Sequence, residues 1–463
     1  MEGISSLTQN MAPQTQSLVF KVRRNPQELV TPAKPTPKEF KLLSDIDDQT
    51  SLRSLTPLVT IYRNNPSMEG KDPVEIIREA LSKTLVFYYP FAGRLRNGPN
   101  GKLMVDCTGE GVIFIEADAD VTLDQFGIDL HPPFPCFDQL LYDVPGSDGI
   151  LDSPLLLIQV TRLKCGGFIF AVRLNHAMCD AIGMSQFMKG LAEIARGEPK
   201  PFILPVWHRE LLCARNPPKV TFIHNEYQKP PHDNNNNNFI LQHSSFFFGP
   251  NELDAIRRLL PYHHSKSTTS DILTAFLWRC RTLALQPENP NHEFRLLYIL
   301  NARYGRCSFN PPLPEGFYGN AFVSPAAIST GEKLCNNPLE YALELMKEAK
   351  SKGTEEYVHS VADLMVIKGR PSYFYNDVGY LEVSDLTKAR FRDVDFGWGK
   401  AVYGGATQGY FSSILYVSYT NSKGVEGIMA LTSLPTKAME RFEKELDDLF
   451  KTKDKSQILR SHI

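Results

Sequence analysis

A histidine and an aspartate stand four residues apart in Leu174-Asn175-His176-Ala177-Met178-Cys179-Asp180. An imidazole has an ordinary pKa near ~6.5, so close to neutrality it can take a proton from a hydroxyl and hand it to a leaving group. His176 is therefore the candidate general base of a group-transfer reaction. Two roles are open for Asp180. It could orient the ring, as the acid of a Ser-His-Asp triad does; if a turn begins after His176, it could instead point away and pair with a cation that fixes the loop. The bland alternative is a histidine satisfied by backbone groups at a strand end. Cys179 offers another chemistry, a Cys/His nucleophilic pair, although a cysteine between Met178 and Asp180 is more often a small buried filler.

Two further stretches carry candidate residues. Asp395-Phe396-Gly397-Trp398-Gly399-Lys400, followed by Tyr403-Gly404-Gly405, sets glycines around two aromatics, which predicts a tight loop anchored by Trp398. Asn301-Ala302-Arg303-Tyr304-Gly305-Arg306 places two arginines directly after an apolar run, where they could hold phosphates or an internal carboxylate. None of these matches a glycine-rich phosphate loop, a dinucleotide-binding fingerprint or a kinase set.

These residues need elements to position them. Asp72 and Pro73 predict a helix start, with Glu75 completing a capping box and Ile77, Ala80, Leu81 and Leu85 on one face. The apolar runs 154–160 and 168–172, joined by Lys164-Cys165-Gly166-Gly167, predict a buried hairpin that ends just before His176. Met184, Phe187, Met188, Leu191 and Ile194 then recur at helical spacing as far as Gly197, so the His176 motif is a strand-to-helix connection. Residues 199–238 are proline-rich and polar and end in the run Asn234 to Asn238, which predicts a surface linker. Beyond it the pattern predicts helices near 270–282, 339–350 and 436–450 and a strand at 295–300. Two α/β domains meeting across a cleft is the economical architecture.

Composition sets the outer limits. The 463 residues, 42% of them hydrophobic, suffice for two or three domains, and 50 basic against 52 acidic side chains leave no overall field that would draw nucleic acid. Eight cysteines are scattered without a CxxC pair or zinc-ligand spacing, so a reduced intracellular compartment fits. The start of the chain lacks a signal peptide, and no apolar stretch reaches a membrane span. A cytoplasmic protein is expected, with a peroxisomal address as the alternative because Ser461-His462-Ile463 is a near miss to the SKL type.

Together and in this order, HxxxD at residues 176–180 and DFGWG at residues 395–399 resemble the plant BAHD acyltransferases. Leu43-Ser44-Asp45-Ile46-Asp47, Tyr89-Pro90-Phe91-Ala92-Gly93-Arg94-Leu95, Asn301-Ala302-Arg303 and Phe317-Tyr318-Gly319-Asn320 look like further landmarks of that family. Within it, residues 102–111 and 156–175 are most similar to the alcohol acyltransferases that make volatile esters, above all the benzyl alcohol O-benzoyltransferase group. The resemblance implies a mixed α/β fold of two chloramphenicol-acetyltransferase-like domains joined by a long crossover loop, with a solvent channel between them. The domains would be 1–200 carrying the first motif and 239–463 carrying the second, with 201–238 as the crossover.

The activity implied is transfer of an acyl group from coenzyme A to a small alcohol, without an acyl-enzyme, a permanently bound cofactor or a metal, in a monomer. Benzoyl-CoA with benzyl alcohol is the first expectation, and methanol anthraniloyl transfer or aliphatic ester formation are alternatives within the family. A non-catalytic acyl-CoA-binding protein is the alternative of another class. The resemblance gives His176 the proton transfer, Asp180 a structural ion pair with Arg303, and Asp395 a supporting role. It brings coenzyme A to Lys266, Ser267, Thr268, Thr269, Asn301, Ala302, Arg303, Ser384 and Asp385. Val383-Ser384-Asp385-Leu386 stands where many members of the family have a Ser-Trp-type stretch.

Overall fold

The computed structural model describes residues 18–141, 143, 149–229, 240–372 and 377–460. The asparagine run 234–238 and the tripeptide Ser461-His462-Ile463 lie outside the described residues. Among the described residues, no helix is long and apolar enough to cross a membrane.

The chain begins with two short strands, β1 (Val22–Arg24) and β2 (Glu28–Val30), followed by β3 (Leu55–Tyr62). Helix α1 (Pro73–Phe87) starts where the sequence predicts it, with the Asp72 carboxylate accepting from Val74 N–H and Pro73 in the first turn. Strands β4 (Val112–Ala119), β5 (Leu156–Leu163) and β6 (Phe168–Asn175) follow, and then helix α2 (Ala181–Ala195). The expected hairpin is β5–β6, paired antiparallel from Leu156 with Leu174 to Arg162 with Phe168. Within β6, Phe168, Phe170, Val172 and Leu174 pack toward α1 and α2, while Ile169 and Ala171 enter a separate apolar cluster. The strand reads as continuously apolar because both of its faces are covered.

The second half supplies β7 (Leu241–Phe248), helix α3 (Thr269–Leu285), β8 (Glu293–Tyr298), β9 (Ala326–Thr330), helices α4 (Leu339–Lys352) and α5 (Glu355–Lys368), and β10 (Tyr380–Asp385). After β11 (Tyr403–Ala406) come β12 (Ser413–Thr420), β13 (Glu426–Pro435) and the long helix α6 (Thr436–Arg460). The second sheet has the order β7-β13-β12-β10-β8-β9, with β10 parallel to both of its neighbours. One face of it is covered by α3, α4 and α6 through Trp278, Leu343, Met439 and Phe442.

The sheets are not separate along the sequence. The first has the order β1-β4-β5-β6-β3-β11, with β2 also paired to β4, and its last member comes from residue 403 onward. Residues 395–399, expected within the C-terminal half, are packed against this first sheet instead. The cause is aromatic packing: Phe396 meets Tyr62 at 5.5 Å between ring centroids, and Trp398 meets Phe168 edge-on at 5.2 Å. Gly397 and Gly399 take φ of 110° and 90°, which puts the two glycines of the motif in the left-handed region and lets the loop fold tightly under the rings. Val417, Tyr419, Met429 and Leu431 of the second sheet share a cluster with Val59, Ile61 and Ile169 of the first, so one apolar layer joins the two sheets.

The start of α2 also packs closely on the second half of the chain. A β-carbon on Gly183 would stand 2.0 Å from the Tyr318 carbonyl oxygen, so only glycine lets the helix lie against residues 317–320. Gly183→Ala should lower stability by about 1–3 kcal/mol, seen as an earlier midpoint in urea unfolding. An unchanged midpoint would mean that the two segments are free to separate.

Candidate active site

His176 is the first residue beyond β6. Its N–H donates to the Ser54 carbonyl at 2.9 Å, which carries the β3–β6 ladder one step further. The chain then turns at once, because Met178 N–H donates to the Asn175 carbonyl at 3.0 Å and Ala177 N–H to Asn175 Oδ1 at 3.2 Å. The half-buried imidazole thus faces a cavity of about 1270 Å³ between the two sheets. One wall carries Ser54, Leu55, Leu58 and Leu174 from the first sheet, and the other carries Ser384, Ser413 and Leu415 from the second.

Nδ1 of the ring is enclosed and has no partner of full hydrogen-bond geometry, which leaves Nε2 as the nitrogen available to the cavity. Burial pulls the pKa of His176 below the ordinary histidine value of 6.5; its own backbone, the Asp180 and Asp47 charges and the Asn320 side chain act in the opposite direction. Desolvation is the largest of these effects, so the imidazole is neutral at neutral pH and its free nitrogen can accept a proton.

Asp180 does not hold the ring. It caps α2, with Oδ1 accepting from Gly183 N–H at 3.0 Å, and Oδ2 accepts from Ala321 N–H at 3.0 Å. Arg303 donates to both oxygens, at 2.7 and 3.1 Å, as a two-pronged pair. Of the two roles open in the sequence, the geometry is that of the cation pair, since four donors leave the carboxylate nothing for the imidazole. Arg303 gives two of its three remaining N–H groups to the carbonyls of Phe317 at 3.2 Å and Gly319 at 2.5 Å.

Behind the histidine lies a second polar cluster that sequence reasoning did not assign. Asn320 Nδ2 donates to the His176 carbonyl at 2.8 Å and to Asp47 Oδ1 at 2.9 Å. Asp47, fully buried, also accepts from Ser44 Oγ at 2.7 Å, Asn320 N–H at 2.8 Å and Arg209 Nη1 at 3.2 Å. Arg209 in turn donates to the Met178 carbonyl at 2.8 Å and lies over the rings of Trp207 and Tyr318 at 4.5 and 4.8 Å. Gly319 makes room for it, because a β-carbon there would fall 1.2 Å from Arg209 Nη1. Asp47 and Asn320 sit in stretches already noted as landmarks, whereas Arg209 falls in the proline-rich linker, where nothing in the pattern marks it.

The other candidates separate cleanly. Cys179 is fully buried, and desolvation pushes its thiol well above the ordinary cysteine range, so it carries no thiolate for a Cys/His pair. Asp395 Oδ1 accepts from the N–H groups of Gly397 and Gly399 at 2.7 and 2.8 Å; it folds its own loop and is not among the residues lining the cavity. Of the residues expected at coenzyme A, Thr268, Thr269, Asn301, Ser384 and Asp385 line the cavity. The rest do not. Lys266 is exposed outside the lining, and the Ser267 carbonyl is taken by Arg257 at 3.0 Å. Ala302 is fully buried among Cys307, Val323 and Tyr357, and the Arg303 guanidinium is committed to Asp180 and two carbonyls. Arg306, one of the two arginines offered for phosphates, is on the lining, and so are three cations that sequence reasoning missed, Lys347, Lys350 and Lys388.

Removing one partner of a buried ion pair strands the other, so Asp180→Ala should cost roughly 3–5 kcal/mol of stability. The double variant Asp180→Ala/Arg303→Ala should lose less than the sum of the two single losses, as measured by urea unfolding. Strict additivity would show that the pair does not couple the two segments.

A family model for the Transferase family matches residues 20–449. The benzyl alcohol O-benzoyltransferase of Petunia hybrida is 58% identical over 445 residues, covering 95% of each chain. Alcohol acyl transferase 1 allele RGb of Malus domestica is 52% identical over 436 residues, covering 93% of this chain and 95% of the relative. Among solved structures, vinorine synthase superposes with a TM-score of 0.70 at 21% identity, over 93% of this chain and 98% of the other. F. sporotrichioides TRI101 complexed with coenzyme A and T-2 gives 0.66 at 18% identity, over 88% and 97%. These likenesses identify the two-sheet α/β architecture as chloramphenicol-acetyltransferase-like. With the match running nearly end to end and both expected motifs inside it, the chain belongs to the Transferase family of BAHD acyltransferases.

Proposed function

We propose that the chain is an acyl-CoA:alcohol O-acyltransferase, forming esters from benzoyl-CoA and benzyl or another small alcohol, with His176 as its general base. The observation that carries this reading is His176 on the lining of a cavity between the two sheets, with its Nδ1 enclosed, which leaves Nε2 as the nitrogen free to meet a substrate. The relatives named for benzoyl transfer to benzyl alcohol support the substrate pair. The apolar side chains Leu55, Leu58, Leu174, Ile182 and Phe322 on the lining suit an aromatic acyl or alkyl group. The four lining cations, with Thr268, Thr269 and Ser270 at the start of α3, suit the phosphates of coenzyme A.

In this reading His176 Nε2 takes the hydroxyl proton as the alcohol oxygen attacks the thioester carbonyl carbon. The tetrahedral intermediate collapses, the carbon–sulfur bond breaks, and the imidazolium returns the proton to the departing thiolate. Ester and free coenzyme A are the products, and no covalent enzyme species forms. Asp180, paired with Arg303, and Asp395 act as structural supports. Asn320 anchors the carbonyl of His176 and stands beside its ring. The same reading takes 1–200 and 239–463 as the domains of a monomer, with 201–238 as the crossover and the segment 395–406 of the second domain reaching across to the first sheet, and assigns the protein to the cytoplasm.

Purified protein given benzoyl-CoA and benzyl alcohol should release free thiol only when the alcohol is present. Alcohol-independent release would point to a hydrolase, and binding without release to an acyl-CoA carrier. His176→Ala should cut turnover about 10²- to 10⁴-fold while the protein stays folded. A folded variant with near-normal ester synthesis would remove His176 from the chemistry.

The pH profile follows from the direction of the histidine's shift. The reactive form is the neutral imidazole, and its pKa lies below 6.5, so kcat/KM should be level near neutrality and fall only as the pH drops below 6.5. An acid limb centred above pH 6.5, measured with a fixed pair of substrates, would contradict the assignment.

A further inference from the structure

The cavity holds an acid for which acyl transfer has no use. Glu382 lies in the middle of β10, between Leu381 and Val383, which point into the core under α3 and α4. Side chains alternate along a strand, so Glu382 points to the opposite face, where it lines the cavity. Its register partners are Leu297 on β8 and Ser413 on β12. The residue is 6% exposed, and no described hydrogen bond or ion pair reaches its carboxyl group.

The contrast with its neighbour is direct. Asp385 on the same strand accepts from Ser270 Oγ at 2.9 Å and Thr387 N–H at 3.0 Å, so its charge is accounted for within the protein. Glu382 has only desolvation acting on it, which pushes its pKa up to about 8. Near neutrality it is therefore mainly a neutral carboxylic acid with one O–H to donate and a carbonyl to accept. The Thr407 hydroxyl, buried on the same lining, is also without a partner.

Unsatisfied polar groups on an apolar wall are costly to close over with hydrocarbon and favourable to pair. A phosphate is a poor occupant beside an acid, and the cations of this cavity stand on other residues. A base is not required there either, since the proton acceptor of the proposed reaction is on the first-sheet wall. We propose that Glu382 is a specificity-determining residue, receiving a hydroxyl or aromatic amine carried by the acyl or alcohol substrate and selecting such substrates over their unsubstituted parents. This rests on the acyltransferase reading of the same cavity. A ligand group able both to donate and to accept would satisfy the acid completely. A site built around such a pair discriminates by pairing, a stronger selector than apolar fit alone.

The test compares wild type with Glu382→Leu and Glu382→Gln in two arms. One arm measures kcat/KM for hydroxybenzyl alcohols against benzyl alcohol with benzoyl-CoA, and the other for aminobenzoyl-CoA against benzoyl-CoA with benzyl alcohol. Glu382→Leu should shift the ratio about tenfold or more toward the unsubstituted substrate in one arm, and that arm identifies which substrate carries the polar group. Glu382→Gln keeps a donor and an acceptor and should retain most of the preference. Ratios unchanged in both arms, or lost equally for both members of each pair, overturn the proposal. If circular dichroism shows Glu382→Leu unfolded, Glu382→Ala takes its place under the same criteria. Failure of wild type to transfer any acyl group would count against the acyltransferase reading instead, which keeps the two failures distinct.

Discussion

Asp180 carries the structural burden around which the site is assembled. Its two oxygens receive four donors: the N–H groups of Gly183 and Ala321 and both prongs of Arg303. One carboxylate thereby caps α2, directly after the turn that follows His176, and ties it to the segment from Arg303 to Ala321. That segment returns the favour through Asn320, which donates to the His176 carbonyl. The histidine sits on a strand end whose onward chain is anchored to the other half of the molecule, so its backbone is held by distant contacts such as the Asn320 bond, whose partners are 144 residues apart in sequence.

A similar economy governs the acids near residue 47. Asp45 accepts from Lys102 Nζ at 2.9 Å and Ala214 N–H at 2.8 Å, and Asp48 from Arg53 at 2.7 Å and from Arg370. Together with Asp47 they tie one buried turn to other parts of the chain, from Arg53 close by to Arg370 far along it. Burying them is expensive unless every lone pair finds a donor. Most of the donors, Lys102, Arg209, Ala214, Asn320 and Arg370, come from segments widely separated in sequence, so much of the desolvation cost is offset only when those segments meet, and Asp45 Oδ1 is left without a partner. Desolvation still dominates at Asp48, whose pKa is raised despite two arginines beside it.

Much of the local structure was legible in the sequence because local rules dictate it. The Asp72 cap, the β5–β6 hairpin, the apolar stripe of α2 and the glycine turns of residues 395–399 each depend on neighbours a few positions away. The direction of Asp180 was also legible in outline, since a helix starting directly after it makes it a cap. What the sequence concealed is non-local. Nothing in the spacing tells that residues 395–406 cross to the first sheet, since their aromatic run would suit either core. Arg209 looked like an ordinary basic residue in a polar linker, although it is buried against Asp47. Ala302 and Arg303 shared a stretch with Asn301, and only the turn of the chain sends Asn301 to the cavity while burying Ala302.

The arginines also explain why a histidine close to two carboxylates can remain a usable base. The charges of Asp180 and Asp47 both favour the imidazolium form of His176, and with nothing to oppose them they would hold a proton on the ring. Each of those acids is paired with its own guanidinium, Arg303 for one and Arg209 for the other, which weakens its field at the ring. Desolvation then outweighs what remains, and the balance falls on the neutral side. The carboxylates can therefore organise the loop without converting its histidine into an acid. A triad-like contact from Asp180 to the ring would have joined the two tasks, favouring the charged imidazole in the resting protein; directing that carboxylate to Arg303 separates them.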